Sequence, residues 1–100
     1  MPAAVDPEGI SARAIQDFVD LKDKRILEIG CGKGRLTFPL AEIASHITAI
    51  DPVAGDIETA IEVTPDSLKA KIDFSAVGIE EFTLPVGSPQ FDIGLFTWSL

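Results

Sequence analysis

The sequence predicts an α/β fold in which helices flank a parallel sheet. Short apolar runs alternate along the chain with stretches whose apolar residues recur at helical spacing. This alternation is typical of β-α-β units, whose crossovers join parallel strands with a right-handed connection. A second observation is the position of the glycines, because residues 30–34 carry three of them directly after the first apolar run.

Composition limits the classes of function. A chain of 100 residues with 46% hydrophobic residues has the size and core of one small domain. Its formal net charge of −8 repels phosphate backbones and anionic lipids, so neither nucleic acid nor membrane is an expected partner. A single cysteine, no apolar run of spanning length and no basic leader together predict a cytoplasmic location.

The first part of the chain is expected to precede the sheet. Residues 1–8 contain two prolines and small residues, and are predicted to form a loose N-terminal arm. Residues 9–21 are predicted to form a helix capped by Ser11, because Ile15 and Phe18 recur at helical spacing. The first strand is expected at residues 25–29.

The elements that follow are predicted from apolar spacing and from proline. A helix should begin near Arg35 or Leu36, since Pro39 is tolerated only in a first turn. A second strand at 47–50, a helix at 55–63, a short helix to about residue 70 and a third strand at 72–77 follow. Residues 91–98 are mostly apolar and are predicted to form a strand buried on both faces.

These elements predict four strands in the order 3-2-1-4. A strand buried on both faces needs neighbours on both sides, and two residues follow Trp98. Residues 9–100 are therefore expected to be part of a larger domain, incomplete at the C-terminus. The outer edge of residues 91–98 is expected to promote self-association through its unpaired backbone groups.

The glycines and two acids predict a nucleotide-type cofactor site. Gly30, Gly32 and Gly34 allow sharp bends and a close approach of backbone to ligand. Glu28 precedes them, and Asp51 closes the second apolar run, where it is able to accept hydrogen bonds from both hydroxyls of a ribose. A dinucleotide fingerprint requires a glycine where Arg35 stands, which argues against a dinucleotide-binding oxidoreductase.

Residues 27–37, taken with Asp51, resemble the first motif of class I S-adenosylmethionine-dependent methyltransferases. The resemblance implies a Rossmann-like fold, whose sheet usually has seven strands, and S-adenosylmethionine as cofactor. In that family the acid matching Glu28 steadies the glycine loop and faces the methionine amino group. The acid matching Asp51 binds the ribose, Pro52 would border the adenine, and Cys31 would lie in the loop that contacts the cofactor.

Two later segments also resemble cofactor-binding motifs of the family. In residues 77–85, Ile79 occupies a position where the family often has an acid for the adenine amino group, and Glu80 would supply a backbone contact. Residues 91–100 resemble the fourth motif, so Phe96 and Thr97 are expected on the methionine side.

The resemblance covers residues 25–100 and is greatest to the small-molecule branch that includes quinone-biosynthesis methyltransferases. It predicts methyl transfer to a small-molecule acceptor, with this chain carrying the cofactor-binding half. Such a transfer mainly requires alignment and exclusion of water. No catalytic residue and no metal ligand are assigned, and His46 is interpreted as a surface histidine. The alternatives are a dinucleotide-binding oxidoreductase fragment and a non-catalytic truncated or interaction module.

Overall fold

In the part of the chain that the structure describes, the sheet has four parallel strands in the order β3-β2-β1-β4, which confirms the predicted order. The computed structural model describes residues 20–84 and 86–97. The predicted arm, most of the helix at 9–21 and Trp98 lie outside these residues. The strands are β1 (Arg25–Ile29), β2 (His46–Ile50), β3 (Ile72–Ser75) and β4 (Ile93–Phe96).

Two α-helices connect the first three strands. Helix α1 spans Thr37–Ile43 and joins β1 to β2, and helix α2 spans Ala54–Val63 and leads towards β3. Pro39 is the third residue of α1, so the proline lies in the first turn as predicted. Residues 64–70 contain only a 3-10 turn, Asp66–Leu68, instead of the short helix that was predicted.

The core lies between the central strands and α1. Ile26 of β1 and Ile47 of β2 are fully buried and occupy paired positions in the sheet. Leu40 of α1 covers them and is equally buried. Burial of such side chains contributes roughly 1.5–3 kcal/mol each to stability. This packing fixes the carboxyl ends of β1 and β2 relative to α1.

Strand β4 is less buried than its sequence suggested. Leu95 is buried, but Gly94 is exposed and Ile93 and Phe96 are half-buried, so the prediction of burial on both faces is wrong. The reason is that β4 lies at the edge of the sheet, because within the described residues it pairs with one neighbour only, β1. The third strand also ends earlier than predicted, since the Val77 N–H turns back to the Ser75 carbonyl.

No helix within residues 20–84 and 86–97 is both long enough and apolar enough to cross a membrane.

Candidate functional site

The loop between β1 and α1 has the left-handed backbone that its glycines predict. The φ angles are 85° at Gly30, 56° at Gly32 and 92° at Gly34. A Cβ at Gly32 would meet no atom within 4 Å, whereas one at Gly34 would lie 2.8 Å from the Phe38 ring. A side chain at Gly34 would thus be strained by the backbone angle and would also displace the Phe38 ring, whereas Gly32 borders open space.

Asp51 joins this glycine loop, residues 30–34, to the end of β2. Its Oδ2 accepts a hydrogen bond from the Gly32 N–H at 3.0 Å, and its Oδ1 accepts one from the Val53 N–H at 2.9 Å. The Ile50 carbonyl accepts further bonds from Gly30 and Cys31. A carboxylate offers about four acceptor positions, so both oxygens of Asp51 keep acceptor capacity for a ligand.

A cavity of about 430 Å³ opens beside Asp51 at the carboxyl ends of the strands. In a parallel α/β sheet this edge is where ligands bind. Five of the predicted cofactor-binding residues line the cavity, together with three others. The lining residues are Ile29, Gly30, Asp51, Pro52, Gly78, Ile79, Glu80 and Glu81.

Glu81 was not among the predicted site residues. The Glu81 N–H donates to the Gly78 carbonyl at 3.1 Å, and this turn brings residue 81 back over residue 78. Its Oε1 lies 3.2 Å from the position that a Cβ on Gly78 would occupy. In the sequence, this turn is indicated only by a glycine three residues before an acid, and that pattern is a weak signal.

Glu28 does not face the cavity. It has no exposed surface, because the alternation along β1 places it on the same buried face as Ile26. Its Oε1 accepts a hydrogen bond from the Thr37 hydroxyl and its Oε2 accepts one from the Thr97 hydroxyl, both at 2.5 Å. This arrangement buries the carboxyl beneath the loop, and the expected contact with a methionine amino group stays a prediction.

Burial raises the pKa of the Glu28 carboxyl above its ordinary value of 4.5. The two threonine hydroxyls oppose this shift, and the negative charge of Asp51 adds to it. Thr37 was not predicted as a site residue. A threonine at the first position of a helix ordinarily suggests a role at the helix terminus, so its sequence position gave no sign of this partner.

Cys31 takes part in the glycine loop through its backbone N–H and not through the chemistry of its thiol. Its side chain is buried, and its Sγ lies 3.7 Å from the Gly32 carbonyl. Burial raises the pKa of the thiol, and the charges of Glu28 and Asp51 raise it further. A thiol kept protonated is a poor nucleophile.

Phe96 and Thr97 lie at the carboxyl end of β4 and do not line the cavity. Phe96 is half-buried, whereas Thr97 is buried and directs its hydroxyl to Glu28. The Thr97 N–H also donates to the Ile29 carbonyl at 2.9 Å. Thr97 thereby fastens the end of β4 to the strand that carries the glycine loop.

No group of three or more potential metal ligands occurs in the part of the chain that the structure describes. His46 places its Nε2 3.1 Å from the Asp73 carboxylate, at the opposite end of the strands from the cavity.

A glycine loop after β1, an acid at the end of β2 and a cavity between them define a nucleotide-cofactor-binding α/β protein. A comparison of the sequence with models of known protein families identifies the family. The model of the methyltransferase domain family matches residues 26–100, and the chain belongs to that family.

Individual relatives agree with this assignment. A ubiquinone biosynthesis O-methyltransferase from Azorhizobium caulinodans is 34% identical over 87 residues, covering 87% of this chain and 32% of that protein. A probable ribosomal RNA small subunit methyltransferase A from Methanothermobacter thermautotrophicus is 49% identical over 45 residues, covering 44% of this chain and 16% of that protein. The chain thus spans less than a third of the length of either relative.

A solved structure shows the same fold. Phosphoethanolamine N-methyltransferase 1 from Haemonchus contortus, in complex with phosphoethanolamine and S-adenosylhomocysteine, superimposes with a TM-score of 0.69. The two sequences are 26% identical, and the match covers 87% of this chain and 18% of the other.

Proposed function

We propose that this chain is the cofactor-binding part of an S-adenosylmethionine-dependent methyltransferase with a small-molecule acceptor. The observation that carries the proposal is the cavity beside Asp51. There, a carboxylate with spare acceptor capacity meets a glycine loop, and the loop leaves open space at Gly32. Membership of the methyltransferase domain family supports the choice of cofactor.

The lining residues fit the nucleoside part of S-adenosylmethionine. Asp51 would accept hydrogen bonds from the two ribose hydroxyls. Pro52 and Ile79 are exposed apolar residues at the cavity wall, and they would lie against the adenine, with Glu80 contributing a backbone contact. The open position at Gly32 would admit the remainder of the cofactor close to the backbone.

The glycine loop and the end of β4 would hold the methionine part. Backbone groups of Gly30, Cys31 and Gly34 belong to this loop, and Phe96 and Thr97 border it from β4. When bound, the cofactor supplies an activated methyl group on a sulfonium. The residues of this chain bind and orient that group, so the described part of the chain needs no nucleophile.

Charge favours this ligand. Asp51, Glu80 and Glu81 place three carboxyl groups at the cavity, and the whole chain has a net charge of −8. S-adenosylmethionine carries a sulfonium and an ammonium group, which such a site attracts. NAD and ATP carry phosphates, which it repels.

A small hydroxylated acceptor is proposed for the methyl group. The ubiquinone biosynthesis relative supports an O-methyl acceptor from the quinone-biosynthesis class. The acidity of the chain disfavours RNA, although a ribosomal RNA methyltransferase is also a relative. A cytoplasmic location belongs to the same proposal and is supported by the single cysteine.

Calorimetry tests the cofactor. S-adenosylmethionine and S-adenosylhomocysteine are expected to bind more tightly than NAD or ATP. A preference for NAD would instead support the dinucleotide-binding alternative.

A transfer assay with a labelled methyl group tests the acceptor. It would offer a hydroxylated quinone precursor and, in parallel, a small-subunit ribosomal RNA fragment to the protein that contains this chain. Label in the RNA alone would contradict the small-molecule proposal.

A further inference from the structure

Strand β3 has an open edge on the side away from β2. Within the described residues β3 is the last strand of the sheet and pairs with β2 only. The carbonyls of Lys71 and Ser75 accept hydrogen bonds from the backbone of β2. Because successive residues of a parallel strand direct their backbone groups to alternate sides, the N–H and C=O groups of Ile72 and Phe74 point away from β2. An edge of this kind is able to pair with another strand.

A groove of about 290 Å³ lies along this edge, between β3 and the end of α2. Its lining residues are Ile61, Thr64, Lys69, Ile72, Asp73 and Phe74. Ile61 is a large apolar residue, yet 53% of it is exposed. Ile72 and Phe74 lie on the same face of the sheet, because one residue separates them. A strand that joined β3 would therefore bring its own side chains over this edge groove.

The charges beside the edge are complementary to themselves. Lys71 and Asp73 flank Ile72, and the alternation of the strand places both on the face opposite to Ile72. Asp73 is exposed, and its Oδ2 lies 3.1 Å from His46 Nε2. Lys71 makes no ion pair within the described residues. In an antiparallel arrangement centred on Ile72, Lys71 of each copy would lie opposite Asp73 of the other copy.

Other registers of antiparallel pairing are less favourable. A centre at Asp73 would place two carboxylates opposite each other, and a centre at Lys71 would do the same with two ammonium groups. A centre at Phe74 would leave neither charge opposite its counterpart. Opposite charges across a strand pair are stabilising, and like charges are destabilising. Charges on an edge strand ordinarily prevent pairing, whereas these charges select one register.

We propose that the edge of β3 is an interface for a second copy of this chain, which pairs antiparallel to it around Ile72. The Ile72 N–H of each copy would donate to the Ile72 carbonyl of the other. The Ile72 and Phe74 side chains of the second copy would cover the edge groove, and Lys71 and Asp73 would form two ion pairs on the opposite face. Two-fold symmetry makes every such contact twice, as an isologous interface requires.

The net charge of the chain does not prevent this association at physiological salt. Each copy has a formal net charge of −8, which repels a second copy. Exposed charges farther apart than the Debye length, about 8 Å at this salt concentration, are largely screened from each other. The Lys71 and Asp73 side chains would be in contact, so their attraction is screened much less. Cofactor binding plays no part in this inference.

Charge reversal tests the interface. Asp73→Lys would bring ammonium groups together in both pairs, and Lys71→Asp would bring carboxylates together. Sedimentation and light scattering at physiological salt would be measured on the protein that contains this chain. The unchanged protein is expected to dimerise, and each variant alone is expected to associate roughly ten-fold to a hundred-fold more weakly, because two attractive pairs become repulsive. Glu42→Lys makes the same charge change at an exposed position of α1 outside the groove, and is expected to dimerise normally.

Two further samples restore the complementarity. An equimolar mixture of the Asp73→Lys and Lys71→Asp proteins has opposite charges in both pairs, so it is expected to form a mixed dimer. The double variant, Lys71→Asp with Asp73→Lys, exchanges the two charges and is expected to associate as the unchanged protein does. In each dimer, hydrogen exchange at the Ile72 and Phe74 N–H groups is expected to slow. Restored association also shows that the variants are folded.

Three results would overturn the proposal. The first is an unchanged protein that stays monomeric at every concentration. The second is dimerisation that neither single variant weakens, which would show association through another surface, such as the edge at residues 91–98. The third is a mixture of folded variants that fails to associate where the unchanged protein dimerises. If Asp73→Lys fails to fold, Lys71→Asp alone decides. All three results leave the proposed function untouched, since none of them involves the cofactor.

Discussion

Asp51 holds the glycine loop and also lies at the proposed ligand site. It holds the N–H groups of Gly32 and Val53, and it lines the cavity. A carboxylate in such a position orders the loop before a ligand arrives, so less conformational entropy is lost on binding. Replacing it therefore affects both the free protein and the complex.

Asp51→Ala is expected to lower cofactor affinity by about 1.5–3 kcal/mol, the range for hydrogen bonds to a charged group. It is also expected to lower the melting temperature, because two backbone N–H groups lose their acceptor. Calorimetry and thermal denaturation measure the two effects. Glu58→Ala removes an exposed carboxyl from α2 and serves as the control. Unchanged affinity in Asp51→Ala would show that Asp51 only holds the loop.

Gly32 and Gly34 are expected to respond differently to alanine. At Gly34 the new Cβ meets the Phe38 ring at 2.8 Å and the φ of 92° is strained, so stability should fall by roughly 1–3 kcal/mol. At Gly32 the Cβ meets no protein atom and φ is 56°, which costs about 1–2 kcal/mol at most. Gly32→Ala is therefore expected to lose cofactor affinity while most of its stability remains. Denaturation and calorimetry on both variants check this contrast, and equal loss of stability in the two would contradict it.

At the scale of elements, helix α2 contains a glycine whose replacement by alanine is expected to stabilise the fold. Gly55 is its second residue, and a Cβ there would meet no atom within 4 Å. Gly55→Ala is expected to raise the free energy of unfolding by about 0.5–1 kcal/mol, because alanine loses less backbone entropy in a helix. Urea denaturation measures the gain. Cofactor affinity is expected to stay the same, and a loss of stability would mean that this turn is not helical in solution.

The order of the elements was predictable, but their burial was less so. The start of α1 followed from Pro39, and the strand order followed from the alternating elements and the Rossmann-like fold that the family resemblance implied. The burial of β4 did not follow from residues 91–98, because apolar composition does not report which neighbours a strand has. In the site, Gly30 and Asp51 were singled out by spacing and Pro52 by the family resemblance; all three line the cavity, and their contacts with a cofactor stay predictions.

The partners of Glu28 were not predictable from the sequence. Thr97 lies 69 residues away, and many polar side chains of the chain are equally able to accompany a buried acid. Local spacing predicts a strand and a loop, whereas this contact depends on how β4 packs beside β1. Glu81 was missed for a different reason, because its approach to Gly78 depends on one local turn that the sequence indicates only weakly.

At the scale of the whole molecule, the buried Glu28 makes stability depend on pH. Burial raises its pKa in the folded chain above 4.5, so the folded state holds the proton more tightly than the unfolded state. Its contribution to the free energy of unfolding is therefore fully present below pH 4.5. The contribution is lost as the pH rises through the raised pKa of the folded chain.

Glu28→Gln, which is neutral at every pH, is expected to remove this dependence. Urea denaturation of both proteins, from just below pH 4.5 to neutral pH, measures it. The unchanged chain should lose stability with rising pH relative to the variant. Glu58→Gln on the exposed face of α2 controls for removal of a carboxyl. Parallel curves for the unchanged chain and Glu28→Gln would contradict the expectation.

The pairing of β1 with β4 also has a consequence for the order of folding. Ile26 pairs with Ile93 across most of the chain, whereas β1, β2 and β3 pair as consecutive strands. Closing the longer loop costs more entropy, so we expect β4 to dock after the other strands. Until it docks, the carboxyl of Glu28 lacks its Thr97 partner. During refolding, the return of cofactor binding should therefore lag behind the return of the helical circular dichroism signal. Only molecules in which β4 has paired with β1 are expected to bind the ligand.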